Sequence, residues 1–244
     1  MTFAGRFVAY ATLVLASVLG AGSLLVFLLF LFAGSLTPLN LGLSETTTLW
    51  FDACLCLAFF LQHSSMVRKQ VRQRLTRFLP ARQHGAFYAI ASGAVLLALV
   101  VCWQESEHIL LAPQRVFRWP FRAVYFLGIA GFVWGIRALG SFDPFGLKPV
   151  LDHLHGADSA PAPLIVRGPY RWVRHPLYLA MLLMIWSYPD VTLDRLLFNV
   201  LWTGWIIVGA VLEERDLVAD HGDAYHDYQQ TVPMLLPYRR PDPL

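Results

Sequence analysis

The chain has 244 residues, 57% of them hydrophobic and 14% charged, with a formal net charge of +3 and a mean hydropathy of +0.52. A soluble domain carries about a quarter charged residues, so these values exclude a soluble globular protein. The length suits one compact membrane domain of five or six helices, and the small basic excess is too unevenly placed for nucleic acid and reads as a topology signal.

Cys54, Cys56 and Cys102 all fall inside apolar runs and read as small buried hydrophobes, with no C-x-x-C pair or disulfide framework. The first apolar run, about 26 residues long, exceeds the h-region of a signal peptide and predicts a retained membrane helix over Phe7 to Phe32. A turn-rich loop from Gly34 to Thr48 follows. A second helix is predicted over Leu49 to Met66, with Asp52 near one end and Gln62-His63-Ser64-Ser65 near the other. Polar groups there suit either helix-end hydrogen bonding or the lining of a substrate cavity.

Arg68, Lys69, Arg72, Arg74, Arg77 and Arg82 form a basic stretch with no acid among them. The positive-inside rule places it on the cytoplasmic side, near anionic headgroups, together with the amino terminus. A third helix is predicted over Ala86 to Trp103 and a fourth over Phe121 to Leu139. Arg115 and Arg118 in the outer loop between them run mildly against the rule. In the fourth helix, Gly131-x-x-x-Gly135 marks a small-residue face for helix contact.

Gly140 to Pro176 returns to the inside, with turn signals at Ser141 to Leu147 and Asp158 to Pro163. Asp152-His153-Leu154-His155 has the wrong spacing for a shared metal and no further ligand nearby, so no metal site is expected. Pro176 is well placed to start a helix, which Tyr188-Pro189-Asp190 stops at about Ser187. Twelve residues rise only about 18 Å, too short to span the hydrocarbon. The last helix is predicted from Thr192, as N-cap, through Trp202 and Trp205 to Leu217 or beyond. The pair reads as a hairpin whose turn stops short of the far surface, returning His175 and Glu214 to the cytoplasmic side.

The chemistry-bearing residues gather between Arg167 and Pro237. Arg167, Arg171 and Arg174 offer fixed charge to a carboxylate, and His175 a directional hydrogen bond or a base. Glu213 and Glu214 suit an amine or guanidinium. Tyr170, Tyr178, Tyr225 and Tyr228 suit a nucleobase or a cation. S-adenosylmethionine has an amine, a carboxylate, an adenine and a sulfonium, and would use all of these. Residue by residue, headgroup contacts, an interfacial tyrosine belt and ordinary helix-end charges are the competing readings.

Gly168-Pro169-Tyr170, Val173-Arg174-His175-Pro176-x-Tyr178, Glu213-Glu214-x-x-Leu217, Gly222-x-x-Tyr225-x-x-Tyr228 and Val232-Pro233-x-x-x-Pro237 resemble the isoprenylcysteine carboxyl methyltransferase and phospholipid methyltransferase superfamily. The bacterial methanethiol S-methyltransferase group is the most similar branch, through His63 to Arg68, Tyr88 to Gly93 and Phe142 to Leu147. The resemblance implies an all-α integral membrane protein of five to six transmembrane helices, with a C-terminal helical hairpin and cytoplasmic tail enclosing S-adenosylmethionine. It implies cofactor contacts at Pro169, Tyr170, Arg174, His175, Tyr178, Glu214, Tyr225 and Tyr228. Carboxyl-methylating members carry an arginine in the turn before the paired glutamates. This chain has Val208-Gly209-Ala210-Val211-Leu212 there, which favours a neutral or thiol acceptor.

The expected whole is a single membrane methyltransferase domain over 1–244, with four helices in 1–140 and the cofactor-binding loop, hairpin and tail in 141–244. Arg174, Glu214 and His63 are the expected catalytic residues, with His63 or Asp143 as a base for a thiol. The expected partners are a small or lipid-soluble methyl acceptor and membrane lipids, with no nucleic acid and no metal. Two other readings stay open: an isoprenylcysteine carboxylate or phospholipid amine as acceptor, and a non-enzymatic membrane transport or regulatory protein.

Overall fold

A computed structural model describes residues 3–140, 142–155 and 164–240, without the side chains of residues 3–6, 69, 70, 153 and 155. Nine α-helices are present among them: α1 (Phe3–Ala33), α2 (Glu45–Val67), α3 (Lys69–Leu75), α4 (His84–Cys102), α5 (Arg118–Leu139), α6 (Lys148–His155), α7 (Pro176–Ile185), α8 (Leu193–His221) and α9 (Asp223–Thr231). Two short strands, β1 (Ile109–Leu111) and β2 (Val191–Thr192), pair antiparallel. Among the described residues five segments are long and apolar enough to cross a membrane: Phe7–Ala33, Glu45–Val67, Ala81–Cys102, Arg115–Leu139 and Leu193–His221, with α7 a shorter apolar helix. The chain divides into two compact units, Met1–Glu107 with Asp143–Pro161, and His108–Phe142 with Ala162–Leu244.

In the first unit α4 packs against α1 and α2. Small residues allow the close approach that helix association in lipid depends on. A Cβ on Gly93 would stand 2.6 Å from the carbonyl oxygen of Leu19. Ala9, Ala16, Ala86, Ala89 and Val150 form the buried contact, with Phe145 and Leu147 against it. The turn before α6 is as tight. Gly146 holds a left-handed φ of +62°, and a Cβ there would lie 2.1 Å from the Gly85 carbonyl carbon, so no larger residue fits. Asp143 accepts the backbone N–H groups of Leu147 at 3.0 Å and Lys148 at 2.8 Å. Both its carboxylate oxygens therefore cap α6, which accounts for a residue considered above as a base.

Asp52 is fully buried and accepts the Gln104 backbone N–H at 3.1 Å. Gln104 in turn accepts from Leu41 N and donates to the Leu39 carbonyl. Of the two readings for Asp52, helix-end hydrogen bonding is the one observed. Asp158–Pro163 and the side chains of His153 and His155 lie outside the described residues.

The second unit is built on α5 against α7. The expected small-residue face is present and longer than Gly131 and Gly135 alone. Cβ atoms on Gly128 and Gly135 would meet Met184 at 2.6 Å and Leu177 at 2.5 Å, while Gly131 faces Ala180. The residue order runs 128 to 135 against 184 to 177, so the helices are antiparallel. In the hairpin turn Asp190 pairs with both terminal nitrogens of Arg118, the first residue of α5, and β2 pairs with β1, so the turn lies level with the start of α5.

Buried Arg195 donates to the Ile185 carbonyl at 3.3 Å and closes the end of α7, its guanidinium lying 4.9 Å from the centre of the Tyr188 ring. Thr192 occupies the N-cap position of α8 but makes no side-chain cap. The Leu193 N–H goes instead to the His108 carbonyl beside β1, at 3.0 Å, so the strand pairing does the work expected of the threonine.

Candidate functional site

Three segments of the second unit meet at the carboxyl-terminal part of α8. Glu213 and Glu214 stand there, eight and seven residues before the helix ends at His221. Gly222, at φ +56°, lets the chain reverse into α9. The stretch before α7 is extended at Arg167 and then forms a 3-10 turn over Gly168–Arg171 around buried Pro169. The Pro169 carbonyl accepts from Trp172 N at 3.0 Å and Val173 N at 3.2 Å, delivering Arg174 and His175 in fixed register. Arg174 N then donates to the Pro233 carbonyl at 2.9 Å, and His175 N to that of Met234 at 3.1 Å. The tail is thereby laid along the arginine–histidine stretch by two backbone bonds.

The side chains tighten the same junction. Arg174 Nε donates to Glu214 Oε1 at 2.6 Å, and its Nη1 to the carbonyls of Gln229, at 3.0 Å, and Val232. Glu214 Oε2 receives Gln229 Nε2 at 2.9 Å, and His175 Nε2 lies 3.1 Å from Oε1. An ionised carboxylate has no hydrogen to give, so Nε2 is the protonated nitrogen. The imidazole also has Glu213 Oε2 3.8 Å from Nδ1. Tyr178 stacks on it with ring centres 5.4 Å apart and 13° between planes, and donates its hydroxyl to Glu213 at 2.7 Å. One imidazole is thus bracketed by two carboxylates. The Arg174 and Glu214 side chains are 9% and 12% exposed, a dry enough setting for charge-assisted bonds to hold their geometry.

The tyrosines form the apolar side. Tyr225, Tyr228 and Val232 pack with Leu164, Leu217 and Val218, and Tyr228 donates its hydroxyl to the Tyr170 carbonyl at 2.5 Å. Burial, reinforced by Glu213, pushes Tyr170 up to about 12. Burial, with Glu214 and Glu213 adding to it and Arg174 opposing, pushes Tyr225 up to about 12. Tyr228 is raised too, chiefly by burial. The Tyr225 side chain is 1% exposed, and among the described residues its hydroxyl makes no well-formed hydrogen bond. Beside it opens a cleft of about 340 Å³ lined by Val211, Glu214, Arg215, Val218 and Gln229, at the small end of the ligand-pocket range.

Arg174, His175, Tyr178 and Glu214 are therefore joined directly, Tyr170, Tyr225 and Tyr228 flank them, and Pro169 shapes the turn that presents them. His63 lies in the first unit, on α2, where its imidazole meets the Tyr88 hydroxyl. Gln229 was not anticipated. It follows Tyr228 and stands four residues after Tyr225, on one face of α9, a relation visible only once that short helix is placed. Among the described residues there is no group of three or more His, Cys, Asp or Glu side chains able to hold a metal.

Fold and site together define an all-α integral membrane protein whose polar chemistry converges on a paired-glutamate helix end clasping an arginine–histidine stretch. The chain belongs to the NnrU protein family, whose profile matches residues 53–233 and so takes in His63 and the site residues from Pro169 to Pro233. It is 36% identical over 205 residues to the methanethiol S-methyltransferase of Pseudomonas sp. (strain GM41(2012)), covering 81% of this chain and 76% of that protein. To the methanethiol S-methyltransferase of Mycobacterium tuberculosis it is 34% identical over 181 residues, 74% of each chain. Nurim of Rattus norvegicus is more distant, at 27% identity over 192 residues, 71% of this chain and 70% of that protein. No solved structure matches.

Proposed function

We propose that the chain is an integral membrane methyltransferase that moves a methyl group from S-adenosylmethionine to a small thiol, methanethiol, releasing dimethyl sulfide. Relatives that carry the name methanethiol S-methyltransferase over three quarters of their length support the acceptor. The observation that carries the reading is the Glu214 carboxylate, drawn together with Arg174, His175 and Gln229 at the end of a membrane helix and edged by buried tyrosines.

The residues fit the methyl donor. Tyr225 keeps a buried hydroxyl with no well-formed hydrogen bond among the described residues, near the Arg174 guanidinium and the Glu214 carboxylate, and a bound polar molecule would relieve part of a cost of about 1–3 kcal/mol. Arg174 and His175 would hold the donor's carboxylate and Glu213 and Glu214 its cationic groups. Pro169, Tyr170, Tyr178, Tyr225 and Tyr228 would enclose the adenosine. When bound, the donor supplies an electrophilic methyl on a sulfonium. The chain's own part is positional. The two backbone bonds from Arg174 and His175 to Pro233 and Met234 hold the tail over the site, excluding water and orienting the reactants for in-line displacement. His63 is the proposed base for the thiol. The single domain, the placement in a bacterial inner membrane and the cytoplasmic side for amino terminus and site belong to this proposal, the last supported by the basic run from Arg68 to Arg82.

Purified protein in detergent, given S-adenosylmethionine and methanethiol, is expected to release dimethyl sulfide into the headspace, and Glu214→Gln to lower that rate at least about 100-fold, within the range for transition-state positioning. Binding of the donor without thiol methylation would move the acceptor to a lipid amine or isoprenylcysteine carboxylate. Neither binding nor turnover would leave the non-enzymatic reading.

A further inference from the structure

The second unit carries a surface that the proposed chemistry leaves unexplained, along the seam where its tail is laid on the site. Arg174 N and His175 N donate to the Pro233 and Met234 carbonyls, and the seam ends where the short apolar helix α7 begins at Pro176. Both joined segments expose large apolar side chains. Val166 and Trp172 are each 44% exposed before α7, and Leu236 and Tyr238 are 69% and 73% exposed in the tail. Basic residues are interleaved with them. Arg171 stands next to Trp172, and Arg239 and Arg240 follow Tyr238, with no acid from Leu164 to Pro189 or from Tyr228 to Arg240. The Arg239 guanidinium lies 5.6 Å from the centre of the Tyr238 ring, and its Nη1 donates to the Gln230 carbonyl of α9 at 2.9 Å. Apolar side chains set among arginines, with no acid between them, complement an anionic lipid surface.

We propose that this seam docks on anionic phospholipid headgroups of the membrane the chain spans, and that docking holds the tail closed over the site. Trp172, Leu236 and Tyr238 enter the headgroup layer, where tryptophan and tyrosine are favoured. Arg171, Arg239 and Arg240 meet the lipid phosphates, each such residue shifting the equilibrium about fivefold at an anionic surface. The effect reaches the site through the chain itself. Arg239 holds the end of α9, Gln229 of α9 holds Glu214, and the tail is bonded to Arg174 and His175. A site competent only with its tail in place binds its ligand in proportion to the closed population. The consequence for S-adenosylmethionine rests on the methyltransferase function proposed above, whereas the docking stands without it.

The test places the full-length protein in nanodiscs of phosphatidylcholine alone, or of phosphatidylcholine with an equal part of phosphatidylglycerol. A nitroxide on Leu236→Cys, in a cysteine-free background, reports by its relaxation whether the label sits in lipid or in water. The label should be in lipid in the anionic discs. It should move toward water in the neutral discs, in high salt, and when Arg239→Gln is combined with Arg240→Gln. S-adenosylmethionine should bind about 5- to 25-fold more tightly in the anionic discs than in the neutral ones. The double variant should lose that difference and match the wild type in neutral discs. Unchanged affinity between the two discs, or a label in water in both, refutes the proposal. Equal loss of affinity by the variant in both discs would also overturn it, making the arginines supports of α9. A label that follows lipid charge in a protein that binds no S-adenosylmethionine would keep the docking and sink the methyltransferase reading instead.

Discussion

At the scale of single residues, Glu214 holds the site together because three donors, two from the stretch before α7 and one from α9, share one carboxylate. Replacing it by Gln leaves Arg174 without its anion. A lost hydrogen bond to a charged group is worth about 1.5–3 kcal/mol, so thermal unfolding in detergent should show a destabilisation of that size alongside the lost turnover. Tyr225 should behave oppositely. Its hydroxyl makes no well-formed hydrogen bond among the described residues, so Tyr225→Phe should leave stability unchanged or raise it by up to about 1 kcal/mol while weakening S-adenosylmethionine binding. Calorimetry on the same sample reads both. The tyrosines also set a pH limit. Tyr170 and Tyr225 titrate at about 12 in the fold against 10.0 when unperturbed. The folded state therefore holds those protons after the unfolded chain has lost them, and the associated stability, complete below pH 10, is lost as pH rises from about 10 to about 12. Tyrosinate absorbance should show these residues titrating late, and unfolding should become easier across that window.

At the scale of elements, glycine positions decide which helices can touch. Gly93 on α4 meets the Leu19 backbone carbonyl of α1, which cannot move aside as a side chain can. Gly93→Ala should therefore destabilise by about 1–3 kcal/mol. Gly204 on α8 has nothing within 4 Å of its Cβ position, so Gly204→Ala should be neutral or stabilising by up to about 1 kcal/mol. Denaturation in mixed micelles compares the two. Apolar run length made the long helices legible: α1, α2, α4, α5 and α8 lie within a few residues of the expected spans. The short helices α3, α6 and α9 were not legible. Seven to nine residues hold too few turns for a period to stand out, and tertiary contact stabilises them more than propensity does. Gln229 was missed with α9.

At the scale of the whole molecule, the proposed orientation rests on charge. Six basic residues between Arg68 and Arg82 face no acid in that stretch, and the proposal, following the positive-inside rule, puts them on the cytoplasmic side. In a cysteine-free background, Arg77→Cys should be labelled by an impermeant thiol reagent only from the cytoplasmic side and Leu41→Cys only from the other. Reversed labelling would overturn the orientation. Composition and run length, without any structure, established a membrane protein and its long helices, and marked the stretch from Arg167 to Pro237 as the place where arginine, histidine, tyrosine and glutamate side chains gather. These are local quantities, and a linear chain displays them. The tertiary structure alone decided what each polar residue is bonded to. It made Asp143 a helix cap, Asp52 a link to Gln104, and Gln229 a partner of Glu214. It also showed that Arg174 spends Nε and Nη1 on the chain itself. Those outcomes depend on side chains separated by 4 to 55 positions meeting at hydrogen-bond distance, and that proximity is created only when the backbone closes.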